Sequence, residues 1–387
     1  LTPGSFFFYD AYMKLSDFDY NLPKNLIAQK PISPRDHSRL LVFNRETKKI
    51  VHRRFYDIVN YLRPGDILVL NNSKVFPARL IGRKVETGGK IEIFLLRPPS
   101  ITPPASPPPL GKGRIKGNGW QCLVGGHGRK ENLEVKFKQG LQCKILTDNK
   151  DGTWLVKFNK NKKELMKVVE RIGKVPTPPY IKKIPAGVKQ KYQTVFASAA
   201  KVGSVAAPTA GFHFTKSLLA KLKRRGVKIA YLTLHVGLGT FAPVKVDDIK
   251  KHKMHGERVE VNIQTIQKIV RAKEEGNRIV AVGTTSARAL EGVLRQPAWQ
   301  LLSQLRSGGQ AIKTEVDIFI YPGYKFKIVD ALITNFHLPK STLLMLVVAF
   351  LGEKNKRQGI ILAKKIYQEA IRKKYRFYSF GDAMLVT

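Results

Sequence analysis

Apolar and polar positions follow two different rhythms along this chain. In the second half, Val227 to Val236 is a nearly continuous apolar run, the pattern of a strand covered on both faces. Arg278-Ile279-Val280-Ala281-Val282 reads as a strand, as do Asp317 to Tyr321 and Ile328 to Phe336. Helices separate them. Thr215 caps one that runs through Arg225, with Leu218, Leu219 and Leu222 as its apolar residues and Gly226 closing it. Thr265 to Glu275 predicts another, a third starts near Thr284, and two fill Ser341 to Arg376. In the first half, Asp66-Ile67-Leu68-Val69-Leu70 is a short strand entered from the turn Arg63-Pro64-Gly65. Such alternation predicts an α/β main domain built on a mixed or barrel-like sheet.

The other rhythm is short strands and turns. Ile91 to Leu96 is a strand led in by Gly88-Gly89, and Gln121 to Val124, Leu133 to Phe137, Cys143 to Leu146 and Trp154 to Phe158 follow at close spacing. They predict a small antiparallel β-barrel inserted into the main domain. Seven prolines lie in the twelve residues from Pro98 to Pro109, and four glycines follow by Gly119. Proline lacks the N–H that a ladder needs, so 98–119 reads as an exposed loop. The expected organisation is an upstream extension over 1–12, an α/β catalytic domain over 13–78 and 175–387, and an inserted β domain over 79–174. Met13-Lys14-Leu15 reads as the native start.

Charge changes the picture. Lysine and arginine number 69 against 28 acidic residues, a formal charge of +41. That excess biases association toward polyanions such as nucleic acid. Cys122 and Cys143 form no CxxC pair, which argues against a disulfide framework or a zinc cluster and fits a reducing compartment. The longest strongly apolar run, Leu343 to Leu351, has nine residues, and a bilayer span needs roughly 20. A cytoplasmic protein without membrane attachment is expected.

Candidate chemistry sits just after the predicted strands. His235-Val236-Gly237-Leu238-Gly239-Thr240, Gly283-Thr284-Thr285-Ser286 and Thr334-Asn335-Phe336-His337 each follow one. Carboxyl ends of strands are where α/β folds place ligand sites. The Gly283 turn offers free N–H groups and hydroxyls that either hold an anion or simply cap a helix. Gly237-x-Gly239 either admits a ligand close to the backbone or only turns a loop. His213, between Phe212 and Phe214, suits a pocket for a flat base or a packed core position equally. His252 and His255 form an HxxH without a flanking acidic–histidine pattern, so no metal is expected.

Taken together these segments resemble one family, the S-adenosylmethionine:tRNA ribosyltransferase-isomerases of queuosine synthesis. The likeness is carried by Tyr192 to Ala197, Ala206 to Phe214, Thr233 to Phe241, Val282 to Arg288, Ile333 to Pro339 and Phe380 to Met384. In the first half, Pro34-Arg35-Asp36-x-Ser38-Arg39-Leu40 and Asn71 to Arg79 also match. Phe212 stands where leucine is common, the proline-rich stretch looks like an insertion, and the chain stops soon after the last motif.

The resemblance implies transfer of the ribosyl part of S-adenosylmethionine to 7-aminomethyl-7-deazaguanine at the tRNA wobble position. Adenine and methionine leave, and the ribose becomes an epoxycyclopentane, giving epoxyqueuosine. The donor is consumed, so no cofactor is implied, and the enzyme is expected to act as a monomer. Such chemistry needs a base, an acid for adenine and exclusion of water. His213, His235 and His337 are the expected acid/base groups, since imidazole has a pKa of about 6.5. Asp330, Asp382 and Glu257 are the carboxylates that could replace them. Thr209, Gly211, Gly237, Gly239, Thr284, Thr285, Ser286, Arg288 and Asn335 are expected to bind substrate, and Arg79 and Arg83 to contact RNA. A basic RNA-binding protein without catalysis would share the charge but not the strand-end motifs. A conventional tRNA methyltransferase should show a glycine-rich nucleotide loop near its first strand.

The charge yields a measurable expectation. In a salt titration, log affinity for tRNA should fall linearly with log salt, with a slope of about −0.7 to −0.9 per phosphate contacted. A salt-independent affinity would show that the basic residues do not track the backbone.

Overall fold

The computed structural model of the chain describes residues 13–97, 119–182, 187–237, 244, 246–254, 256–295, 310–352 and 355–387. The first strands are β1 (Arg39–Phe43), β2 (Ile50–Arg54), β3 (Ile67–Asn71) and the short β4 (Lys74–Val75). Six more follow: β5 (Arg79–Lys84), β6 (Lys90–Arg97), β7 (Trp120–Gly125), β8 (Glu134–Lys136), β9 (Gln142–Asp148) and β10 (Trp154–Phe158). Helix α1 (Lys162–Ile172) and the single turn α2 (Val188–Lys191) lead back to the main body. There β11 (Val202–Ser204), α3 (Lys216–Arg224), β12 (Lys228–His235), β13 (Glu257–Asn262), α4 (Ile263–Glu274), β14 (Ile279–Val282) and α5 (Thr284–Val293) come in turn. The chain finishes with β15 (Ala311–Val316), β16 (Ala331–Asn335), α6 (Thr342–Leu351), α7 (Lys356–Arg372) and β17 (Ala383–Val386).

Among the described residues, nine strands make one mixed sheet in the order β15-β13-β12-β3-β14-β16-β17-β1-β2. The central four are parallel, with β3 pairing β12 on one side and β14 on the other, and β14 pairing β16. All five residues of β3 are buried. Its alternating side chains divide the core. Ile67 and Val69 join a layer with Ile266, Ala287, Leu346 and Ile366, contributed by α4 to α7. Leu68 and Leu70 join the opposite layer with Phe55, Ile58, Leu218 and Leu222. The sequence pattern is satisfied because both faces are covered. Thr215 caps α3 as expected, its Oγ1 accepting the Leu218 N–H at 3.1 Å. The apolar run ending at Leu351 forms α6, a helix buried in the core. Among the described residues, no helix is long and apolar enough to cross a membrane.

One predicted strand is displaced. The strand expected over Asp317 to Tyr321 lies instead at Ala311–Val316, in full register with β13. Val316 pairs with Glu257, the first residue of β13, so beyond it the ladder has no partner. Ile318, Phe319 and Tyr321 pack on the core without pairing.

Strands β5 to β10 close into an antiparallel barrel in the order β10-β7-β6-β5-β8-β9. Its interior is apolar and includes the free cysteines Cys122 and Cys143. The chain enters and leaves at one point: Arg79 and Lys174 exchange both backbone hydrogen bonds, at 3.2 and 2.8 Å. Gly173 ends α1 beside this pair. A Cβ there would lie 2.1 Å from the Pro77 carbonyl oxygen and 2.5 Å from that of Val169. Backbone cannot yield to a methyl group. Gly173→Ala should therefore cost about 1–3 kcal/mol, read as a lower midpoint in denaturant unfolding. An unchanged midpoint would mean that the neck between barrel and sheet is loose.

Candidate active site

The parallel strands β12, β14 and β16 deliver the segments beginning at Val236, Gly283 and Phe336 to one end of the sheet, where a cavity of about 360 Å³ opens. This volume falls within the range of small-molecule sites, about 300–1,000 Å³. Its wall combines Ala207 to Ala210, Gly283 to Thr285, Thr334 to Ser341, and Tyr378 with Ser379. Four separate sequence runs thus meet in one place.

The polar floor is a chain of hydrogen bonds. Thr209 Oγ1 donates to Asn335 Oδ1 at 2.9 Å, and Asn335 Nδ2 lies 3.1 Å from His213 Nε2. His213 Nδ1 lies 2.7 Å from Ser38 Oγ. Because the Asn335 oxygen accepts, its amide nitrogen donates; the network assigns the imidazole proton to Nδ1, which donates to Ser38. His213 is 4% exposed and packs against Phe55, with ring centroids 5.0 Å apart. Burial, with Arg376 and Arg35 nearby, pushes its pKa down to about 3. The sequence left a base pocket and a packed histidine equally open; here the ring is packed behind the wall and orients Asn335.

His337 is the imidazole that lines the cavity. Its Nε2 lies 2.7 Å from Thr334 Oγ1, and its backbone is tied to Tyr367 and Tyr20. Burial pushes it, too, down to about 3. His235 lies on the other face of β12, its ring against Gly203 and outside the cavity wall. Burial lowers its pKa, opposed by Glu260 and assisted by Arg258 and Lys201. The near-neutral imidazoles expected from sequence are thus corrected: His213 and His337 are neutral at physiological pH because the charged form loses its water.

The expected binding residues divide in the same way. Thr209, Thr284, Thr285 and Asn335 line the cavity. Gly211 does not; it permits close packing, since a Cβ would come within 2.7 Å of Phe196 and 2.8 Å of Thr194. Gly237 donates its N–H to Glu257 at 3.1 Å. Gly239 lies outside the described residues, as does His255, while His252 packs on Phe319. Ser286 is fully buried, and its hydroxyl has no hydrogen-bond partner among the described residues. Arg288 is a buried ion-pair partner of Glu257 and lines a smaller neighbouring cavity that shares Thr284, Thr285 and Leu343, not this one.

The alternative carboxylates have structural partners. Asp382 accepts the backbone N–H groups of Arg39 and Arg376 at 3.1 and 2.8 Å. Asp330 accepts from Lys273 and from the Ile279 N–H, both at 2.8 Å. On the barrel, Arg79 pairs with Glu92 at 3.2 Å, whereas Arg83 is exposed and caps the Gly88 carbonyl at 3.0 Å.

Sequence reasoning missed Tyr180, Ser379 and Tyr378. The dense aromatic run Tyr375 to Phe380 was the available signal. Tyr378 adopts φ 70°, a left-handed backbone that costs a non-glycine residue about 1–2 kcal/mol.

Fold and cavity together define an α/β enzyme with an inserted barrel and a cavity at the ends of parallel strands. Residues 15–386 match the family described as Queuosine biosynthesis protein. A Sulfurihydrogenibium protein named S-adenosylmethionine:tRNA ribosyltransferase-isomerase is 50% identical over 378 residues, covering 97% of this chain and all of the relative. A Thermotoga maritima protein of the same name is 47% identical over 376 residues, again 97% of this chain and all of the relative. The crystal structure of S-adenosylmethionine tRNA ribosyltransferase from Thermotoga maritima superimposes with a TM-score of 0.51 at 37% identity, covering 96% of this chain and 100% of that one. The chain belongs to the queuosine biosynthesis protein family, and the resemblance carried by its motifs holds along its length.

The His213 geometry fixes a pH response. Its folded pKa is about 3, below the unfolded value of about 6.5. Between these values the unfolded chain holds the extra proton. Stability is therefore full above about pH 6.5 and falls as the pH drops toward 3, by at most about 1.4 kcal/mol per unit for this group. The His213 ring proton, assigned by its loss in His213→Gln, should keep its neutral NMR shift down to about pH 4.5. A midpoint near 6.5 would show that water reaches the ring.

Proposed function

We propose that the cavity takes S-adenosylmethionine and the 7-aminomethyl-7-deazaguanine presented at the wobble position of a tRNA, and produces epoxyqueuosine with release of adenine and methionine. The observation that carries this reading is the meeting in one cavity wall of four family-like motif runs, at Ala207–Ala210, Val236, Gly283–Thr285 and Thr334–Pro339. The amino end of α5, with Thr284 and Thr285, suits the donor's carboxylate, because unpaired N–H groups and the helix dipole favour an anion. Thr209 and Asn335 present a hydroxyl and an amide whose orientation is held by His213 and Ser38. His337 is the imidazole in reach of a substrate. Its low pKa makes it a neutral hydrogen-bond partner that can receive a proton only transiently.

In this reading the body over 13–78 and 175–387 performs the chemistry, and the insert over 79–174 holds RNA, with Arg83 more available than Arg79. The enzyme works as a cytoplasmic monomer and needs no cofactor beyond the donor it consumes.

Donor labelled separately in its methyl and ribose carbons tests the reaction. Ribose label on the RNA is expected. Methyl label would identify a methyltransferase, and no label a binding protein. In single turnover with both substrates saturating, His337→Gln should lose about 100-fold or more in rate while His235→Gln stays within a few-fold. If the two variants behave alike, His337 is not the group that meets the substrate.

A further inference from the structure

Tyr180 and Tyr378 come from segments far apart in the chain and meet at the cavity, with ring centroids 4.8 Å apart and planes at 52°. Both line its wall. The Tyr180 hydroxyl lies 2.6 Å from Ser379 Oγ, which fixes the ring from behind. Tyr378 is 6% exposed and held at φ 70°. Its backbone N–H donates to the Phe336 carbonyl, and its own carbonyl accepts from Gly381. Its hydroxyl makes no hydrogen bond with any described residue. Burial and the neighbouring Tyr180 raise its pKa, so it stays a neutral phenol that can donate.

Packing accounts for only part of this. A leucine would fill the core at 378 without a hydroxyl, and a glycine would suit the left-handed backbone without strain. A bulky side chain in a sparsely populated backbone region persists where a function demands it, and the Tyr378 hydroxyl, on a ring that lines the cavity, is not sealed in the core. An aromatic face beside a donor at a cavity wall recognises a flat ring with polar edges.

We propose that Tyr180 and Tyr378 form a stacking platform for a purine-type heterocycle, with the Tyr378 hydroxyl bonding to its edge. This rests on the reading that the cavity takes nucleoside-bearing substrates, and it adds where the base lies. Two sources share that chemistry: the donor's adenine and the deazaguanine of the RNA.

Calorimetry on the full chain separates them. Wild type, Tyr180→Leu, Tyr378→Phe and Tyr378→Leu are titrated with S-adenosylmethionine, and with an anticodon stem–loop carrying either the deazaguanine or an abasic wobble position. Tyr180→Leu should weaken a base-bearing ligand by about 5- to 150-fold and leave the abasic stem–loop unchanged. Tyr378→Phe should lose a smaller factor, about 2- to 10-fold, for the same ligand. Loss confined to the donor places adenine on the platform; loss confined to the modified stem–loop places the RNA base there. Unchanged affinity for both ligands in Tyr180→Leu and Tyr378→Phe overturns the platform, as does an equal loss for the abasic stem–loop. Should Tyr378→Leu melt, those two milder variants decide the question. Failure of the wild type to transfer ribose sinks the proposed reaction but is scored separately from these affinities.

Discussion

The backbone of β3 pairs in parallel with β12 on one side and with β14 on the other, and every side chain from Ile67 to Asn71 is buried. This double pairing is the constraint on which the rest depends. Parallel strands require crossovers over the sheet faces, so α4 and α5 cover one face while α3 and the Phe55 turn cover the other. The same pairing sends the ends of β12, β14 and β16 to one side. Residues 236, 283 and 335 then share a cavity wall although they are far apart in sequence.

Polar groups near that cavity are held by burial as much as by bonding. Asn335 is 3% exposed and His213 4%. Any unmet hydrogen bond there would cost about 1–3 kcal/mol, so the Thr209–Asn335–His213–Ser38 chain is satisfied from end to end. Ser38 reaches it because β1 pairs in parallel with β17, which brings the start of the main body to its end. Asp382 fastens the same junction by accepting N–H groups from Arg39 and Arg376. The hydrogen-bond chain behind the cavity thus ties Ser38, from the first part of the chain, to residues 209, 213 and 335, while the barrel enters and leaves through the pair Arg79–Lys174.

Much of the architecture was legible before any coordinates. Continuous apolar runs are read as buried strands because nothing else keeps both faces dry, and β3, β12 and β14 lie where those runs lie. Turn glycines spaced every ten residues or so announced the barrel strands. The displaced β15 shows the limit. The apolar segment after Val316 pairs with nothing because β13 has ended, and a ladder's length belongs to two segments at once.

The same division applies to the site. Residue types at strand ends pointed by themselves to Thr284, Thr285, Asn335 and His337, which line one cavity together with Thr209, since side-chain functionality and local strand patterning are properties of the chain. Only the tertiary structure decided that His213 supports instead of facing the cavity, that Arg288 is spent on Glu257, and that Tyr180 meets Tyr378. Those outcomes depend on which face of a strand is buried and what packs behind it. The pKa of an imidazole is likewise set by the water it loses, which no spacing of residues records.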